Sequence, residues 1–344
     1  MTSSVEDFDI CVIGGGPAGQ KAAIQGVKSG QRVVVIEREP KAGGACVRRG
    51  TIPSKTLHET ASLIQRLSGR SQELFSVGSG TGVPLPSLMM RVEEVVEAHE
   101  SYMTDQLLRN GVTLIHGSAR FRSTREIEVT SPGQSKRRLR AEIIVIASGS
   151  SPRQPTDVHV DHENVLDSDS ILALGYLPSS LVVIGSGVIA SEYASIFAVL
   201  GVDVTMVDRF PMPLGFLDPE LTSVFVEGLE ANGGRFLGNR RLESITWDGL
   251  SQVITRLDDG TELRSEKLLY ALGRVANLSG LGLAGAGLQA NERGLLSVDA
   301  DFRTEVPNIF AIGDVICPLV LAATAMEQGR FAVCAALGLQ RVFF

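Results

Sequence analysis

One pattern occurs twice in this chain and restricts its fold more than any other feature. An apolar run of branched residues leads into a glycine turn, the turn opens a helix, and an acid closes the next apolar run. In the first copy the run is residues 10–13 (ICVI), the turn carries Gly14, Gly16 and Gly19, and the acid is Glu37, after residues 31–36 (QRVVVI). In the second the run is residues 181–184 (LVVI), the turn carries Gly185, Gly187 and Ala190, and the acid is Asp208. Each acid stands 18 positions past the third small residue. Such runs suit strands buried on both faces. The first glycine permits the tight turn, the second lets backbone approach a pyrophosphate, and the third position lets the helix pack close to the strand. Free N–H groups and the dipole at the helix start favour phosphate. The acid is placed to accept hydrogen bonds from a ribose hydroxyl. A single glycine turn is weak evidence, because such turns also arise for packing. Two copies, each with its acid, predict an α/β chain with two Rossmann-like dinucleotide-binding domains.

At 344 residues the chain is long enough for two or three domains, each with its own core. The net charge of −7 argues against a nucleic-acid partner and against an anionic membrane surface. The basic cluster at residues 136–140 (KRRLR) reads as a solvated turn between two strands. No apolar run approaches the roughly 20 residues needed to span a bilayer. The acidic N-terminus has no apolar segment of signal-peptide type. The cysteines Cys11, Cys46, Cys317 and Cys334 are widely spaced. They form no metal pattern and no disulfide framework, which predicts a reducing, cytoplasmic setting.

Read in order, residues 1–150 form the first part of one domain, residues 151–275 a second domain, and residues 276–344 a return to the first. Residues 40–50 read as a glycine-rich loop and residues 51–67 as a helix, followed by a Gly/Ser/Pro-rich loop at 68–86 and a helix at 87–110. A meander of three strands follows, over 112–121, 126–130 and 139–148. Later come a helix at 219–232, a hairpin turning at Asp259 and Gly260, a buried strand over 309–315, and an Ala-rich helix over 321–338. Lys55 breaks a local rule, since a cation near a helix N-terminus opposes the dipole. That makes it a functional candidate, beside the plainer reading of an exposed lysine with no role.

These motifs together resemble the FAD-dependent pyridine nucleotide–disulfide oxidoreductases, such as dihydrolipoamide dehydrogenase, glutathione reductase and mercuric reductase. The resemblance rests on the two fingerprints, G-G-x-C at residues 43–46, I-P-S-K at 52–55, A-S-G-S at 147–150, Gly273-Arg274 and Gly313-Asp314. It implies a glutathione-reductase-like fold, with FAD at the first fingerprint and a nicotinamide nucleotide, NAD(P)H, at the second. On this basis Gly14, Gly16, Gly19, Glu37 and Arg38 belong to the FAD site, with Glu37 on the adenosine ribose. Gly43, Gly44, Cys46 and Thr51 line the pyrophosphate and flavin, Ala119 the adenine side, and Ser148, Gly149 and Ser150 the cofactor. Asp314 bonds the ribitol, and Leu321 and Ala322 complete the set. Gly185, Gly187, Ala190, Glu192, Asp208, Arg209 and Gly273 belong to the NAD(P) site. Lys55, paired with Glu192, is the catalytic candidate, and no metal is implied.

Two departures from the family pattern stand out. The disulfide reductases carry C-x-x-x-x-C at this place, whereas here Cys46 is followed by Thr51. Dithiol exchange needs a second thiol, so Cys46 reads as a flavin-packing residue. The G-T-I-P-S-K form is similar to the soluble pyridine nucleotide transhydrogenases, which implies hydride transfer between NADPH and NAD⁺. Beside this stand two other readings: another FAD oxidoreductase of diaphorase or dihydrolipoamide-dehydrogenase type, and a nucleotide-binding chain without turnover. The second departure is length. The family continues into a domain that forms a homodimer, and the resemblance puts that domain outside these residues.

Overall fold

The computed structural model describes residues 5–74, 85–155, 158–316 and 321–340. Among these the helices are α1 (Pro17–Lys28), α2 (Gly44–Arg48), α3 (Thr51–Leu74), α4 (Leu85–Arg109), α5 (Val188–Val199), α6 (Pro219–Ala231) and α7 (Ala322–Ala336). The chain divides into two compact units. One comprises Met1–Arg48, Val96–Ser151 and Val275–Phe344, the other Arg49–Val95 and Pro152–Arg274.

The first unit is built on strands β1 (Val5–Ile13), β2 (Val33–Glu37), β3 (Thr113–His116), β4 (Ser118–Phe121), β5 (Glu126–Thr130) and β6 (Lys136–Ile146). They run in the order β3-β2-β1-β6-β5-β4. The long β6 pairs antiparallel with β5 along its first half and parallel with the strand Ile309–Ala311 along its second. Its neighbour β1 is parallel to both β2 and β6. Alternate residues of β1 enter separate cores: Cys11 and Ile13 pack with Ile36 and Ile144, while Ile10 and Val12 pack with Val35 and Val145. That two-sided burial is why the run has no polar alternation. Helices α1 and α7 cover one face. A Cβ on Gly329 would lie 2.3 Å from the Ala18 carbonyl oxygen, so only glycine lets the two backbones come this close.

The second unit repeats the design. Its parallel sheet comprises β7 (Val165–Leu166), β8 (Ser180–Ile184), β9 (Asp203–Val207), β10 (Arg235–Leu237) and β11 (Lys267–Tyr270), in the order β10-β9-β8-β11-β7. A three-stranded antiparallel sheet, Leu242–Trp247, Val253–Leu257 and Glu262–Ser265, follows β10. In each unit the fingerprint strand lies between two parallel partners. Connections therefore leave it in opposite directions, and a crevice opens at its C-terminal end.

Several local expectations are corrected. Residues 40–50 are not wholly loop, since Gly44–Arg48 is a short helix. The helix at Thr51 runs to Leu74, because Arg70, Gln72, Glu73 and Leu74 are good helix formers. The rest of the expected 68–86 loop lies largely outside the described residues, and α4 already begins at Leu85. Residues 112–121 are two strands broken at Gly117, whose N–H donates to the Glu37 carbonyl at 2.8 Å. The basic cluster is the start of β6 and not a turn. Cross-strand carboxylates hold it there: Arg137 on Glu6 at 2.8 Å, Arg140 on Glu126 at 2.8 Å, and Lys136 on Glu128 at 3.3 Å. The 309–315 strand stops at Ala311, and a 3₁₀ turn, Gly313–Val315, carries Asp314. Among the described residues no helix is long and apolar enough to cross a membrane.

Candidate nucleotide sites

The two fingerprints fold into the same hydrogen-bonded knot. The Gly14 N–H donates to the Ile36 carbonyl, and that of Gly185 to the Val207 carbonyl, both at 2.9 Å. Ala147 donates to Ile13 at 2.8 Å, and Ala271 donates to Ile184 at 2.9 Å. Both glycines are left-handed, Gly14 at φ 108° and Gly185 at φ 117°, with the carbonyls of Ala147 and Ala271 where a side chain would stand. These two positions can only be glycine.

Helices α1 and α5 then begin at Gly16 and Gly187, in extended conformation, with no side chain capping either one and no acid in either first turn. Their leading N–H groups lack helical partners, and the dipole favours an anion there. The third small residue differs in a way the packing explains. A Cβ on Gly19 would lie 1.9 Å from the Gly14 carbonyl oxygen, whereas Ala190 carries its methyl fully buried.

In the first unit Glu37 is buried. It accepts from the Gly15 N–H at 2.6 Å and from the Glu39 N–H at 2.9 Å. The Arg38 carbonyl meets the His116 ring at 3.0 Å. Gly43 donates to the Gly15 carbonyl at 3.0 Å, and a Cβ on Gly44 would lie 2.7 Å from the Gly16 Cα, so two glycine segments cross back to back. Cys46 lies on α2. Ala119 lies buried on β4 in the core. Past β6 the chain passes Ser148, Gly149 and Ser150. Gly149 has φ 70°, with nothing within 4 Å of an added Cβ. The Ser150 hydroxyl donates to Asp314 at 2.6 Å. Gln328 accepts from the Gly313 N–H at 2.7 Å and so fixes the turn that carries Asp314. Leu321 precedes α7 and is exposed, and Ala322 begins that helix. An uncapped helix start, a crossing of glycine backbones and an open Gly149 form a cradle that fits FAD.

In the second unit Asp208 is buried at the end of β9 and accepts from the Phe210 N–H at 3.0 Å. The Arg209 guanidinium lies over the Phe210 ring, 4.8 Å from its centre. Gly273 has φ 96° and open space beside it, and its carbonyl accepts from the Arg153 N–H at 3.0 Å. Thr51 is the first residue of α3, and Lys55 lies one turn further on. Helix α3 packs on α5, and the Lys55 ammonium bonds the Glu192 carboxylate. The lysine is 62% exposed and the glutamate 18%.

Sequence reasoning assigned no role to the groups around this pair. Tyr193 is buried, and its hydroxyl has no hydrogen-bond partner among the described residues. Burial pushes that phenol up from its ordinary range, with Glu192 and Asp169 adding to it. Asp169 meets Arg274 at 3.7 Å and Arg49 at 3.5 Å. Burial raises the Asp169 carboxyl, and the two guanidiniums pull it back only in part. Asn277, in the first unit, was also missed. Nothing in single-sequence patterning separates Asp169 and Asn277 from ordinary loop polars.

These geometries agree with the outcome of comparison. The family described as pyridine nucleotide-disulphide oxidoreductase matches residues 8–329. The chain belongs to that family. It is 40% identical over 330 residues to the soluble pyridine nucleotide transhydrogenase of Chromohalobacter salexigens, covering 96% of this chain and 71% of the relative. It is 39% identical over 335 residues to the one from Mycobacterium bovis, covering 97% and 71%. Among solved structures, LpdA from Mycobacterium tuberculosis matches with TM-score 0.89 and 32% identity, over 98% of this chain and 73% of that one. The HOCl-induced flavoprotein disulfide reductase RclA from Escherichia coli matches with TM-score 0.85 and 27% identity, over 97% and 72%. The pyridine nucleotide-disulphide oxidoreductases are enzymes, and this chain is an oxidoreductase with their α/β fold.

Proposed function

We propose that this chain transfers hydride between NADPH and NAD⁺ through bound FAD, without a redox disulfide. The observation that carries the reading is the lone Cys46 with Thr51 in place of a second cysteine, in a chain that keeps the pair of Lys55 and Glu192. The names of its relatives support the same reading.

FAD would be held by the α1 N-terminus, by Gly15, Gly43 and Gly44, by residues 148–150 and by Asp314. Its isoalloxazine would supply the two-electron hydride acceptor and donor. The α5 N-terminus would take the pyrophosphate of the nicotinamide nucleotide, and Asp208 would accept from a ribose hydroxyl. Asp208 repels a 2′-phosphate, whereas Arg209 can leave Phe210 to offset that repulsion, so NAD binds well and NADP is tolerated. Lys55 supplies a fixed positive charge, and Glu192 aims it. A cation so held stabilises negative charge that develops during transfer. With no second thiol there is no relay beyond the flavin, and one nucleotide site would serve both nucleotides in turn, by exchange of the spent nucleotide for the fresh one.

The decisive assay is transfer from NADPH to an NAD⁺ analogue with its own absorbance. The reading expects turnover with that pair and a reductive titration that ends at two electrons per flavin. No transfer, or an end point of four electrons, sinks it. The likeness to a disulfide reductase at 27% identity supports a second reading, with another terminal acceptor. Turnover with quinones or dyes and none with the analogue would select that one.

A further inference from the structure

We infer that Asn277 is a positioning residue for the cofactor. It fixes residues 148–151 in the conformation that turns Gly149 and Ser150 toward the FAD site. The inference rests on the reading of that cradle as an FAD site.

The geometry is that of a four-bond latch. The Asn277 side-chain amide donates to the Ser148 carbonyl at 3.0 Å and accepts from the Ser151 hydroxyl at 2.6 Å. Its backbone N–H donates to the Gly149 carbonyl at 2.9 Å. Its backbone carbonyl accepts from the Ser148 hydroxyl at 2.8 Å. One residue thus satisfies polar groups on Ser148, Gly149 and Ser151. Between the points of attachment lie the left-handed Gly149 and Ser150, whose hydroxyl donates to Asp314. A segment with a glycine in this conformation has many alternatives when free. The latch removes those alternatives before a ligand arrives, which is how preorganisation raises affinity.

The side chain has to be an amide. The Ser148 carbonyl needs a donor and the Ser151 hydroxyl needs an acceptor, and Asn offers both from one planar group. The two backbone bonds survive any substitution, so Asn277→Ala removes half the latch without unpinning the segment.

The experiment is reconstitution of the flavin-free chain with FAD, followed by flavin fluorescence and by circular dichroism of the bound flavin. Loss of the two side-chain bonds, with the Ser148 carbonyl left unpaired, predicts that Asn277→Ala raises the FAD dissociation constant about tenfold or more. The visible dichroism of the bound flavin should change, and the melting temperature should fall more for the FAD-loaded chain than for the flavin-free chain. Ser151→Ala removes only one partner and should weaken FAD several-fold. It decides the matter if Asn277→Ala does not fold. Unchanged affinity and dichroism in Asn277→Ala, or in Ser151→Ala where the other fails to fold, overturn the inference and leave the cofactor reading intact. Equal melting losses with and without FAD overturn it in the same way, since they mark a purely structural residue. A parent chain that takes up no FAD overturns the cofactor reading and this inference with it.

Discussion

Lys55 lies one turn into α3, where the dipole disfavours a cation, and it is offset there by Glu192 of α5. An ion pair with one member this exposed contributes at most about 1 kcal/mol to stability. Its place in the fold is therefore poorly explained by stability and well explained by charge supplied to a ligand. Lys55→Met should leave urea unfolding almost unchanged and lower kcat for nucleotide-to-nucleotide transfer by about 10²-fold, the usual cost of losing one electrostatic contact to a transition state. Equal losses in stability and kcat would reduce the lysine to a structural role. Asp208 gives the second prediction at this scale. On the proposed reading, Asp208→Ala would remove both an acceptor for the ribose and a repulsion toward a 2′-phosphate. The ratio of kcat/KM for NADP over NAD should rise by about tenfold or more, where tenfold corresponds to about 1.4 kcal/mol. An unchanged ratio would take Asp208 out of the ribose site.

At the scale of elements, the two fingerprints are one strand–turn–helix unit built to two tolerances. In the first, α1 sits so close on β1 that Gly19 has no room for a methyl. In the second, α5 leaves space for Ala190. Gly19→Ala should therefore destabilise the first unit by about 3 kcal/mol through overpacking against rigid backbone, read as a lower urea midpoint. Gly187 is the opposite case, since nothing lies within 4 Å of an added Cβ and its backbone is extended. Gly187→Ala should cost under about 1 kcal/mol yet raise KM for the nucleotide roughly tenfold, as the methyl enters the space a pyrophosphate would need. A Gly187→Ala chain with unchanged KM would place the nucleotide elsewhere.

At the scale of the molecule, acid response is set by carboxylates that staple loops. Burial pushes the Asp161 carboxyl up, but the N–H groups of Glu163, Val165 and Asn164 outweigh it and hold it below the usual range. Asp167 is held low in the same way, by Ser170 and Asp169 with His162 adding to them. A depressed folded value means the unfolded chain binds the proton more tightly. The stability from these groups is complete above the unfolded carboxyl value of about 3.9 and is lost as pH falls through the folded one. Asp169, raised by burial, has the opposite sign. Unfolding free energy should therefore be level from neutral pH down to about pH 4 and fall below it, with a shallower fall in Asp161→Asn. A parallel fall in parent and variant would remove Asp161 from the account. The buried Cys11 thiol is pushed up to about 12, so it stays protonated and inert at neutral pH.

The sequence by itself determined the repeat. Two apolar runs, two glycine turns and two acids fix two parallel strand pairs with a helix on each, because strand burial, tight turns and helix starts are all local demands that local residues meet. It also marked Lys55 as unusual, and the family resemblance paired it with Glu192. Only the tertiary structure decided what depends on partners far along the chain. It made residues 136–140 a strand, because Glu6, Glu126 and Glu128 come to lie beside them. It separated β3 from β4 at Gly117. It set Asn277 against residues 148–151 across a sequence gap of more than a hundred residues, and it buried Tyr193 and half-buried Asp169 beside Glu192. Hydrogen bonds and ion pairs between distant segments leave no periodicity in the sequence, so a polar residue with such a task reads like any other loop polar until the fold brings its partner to it.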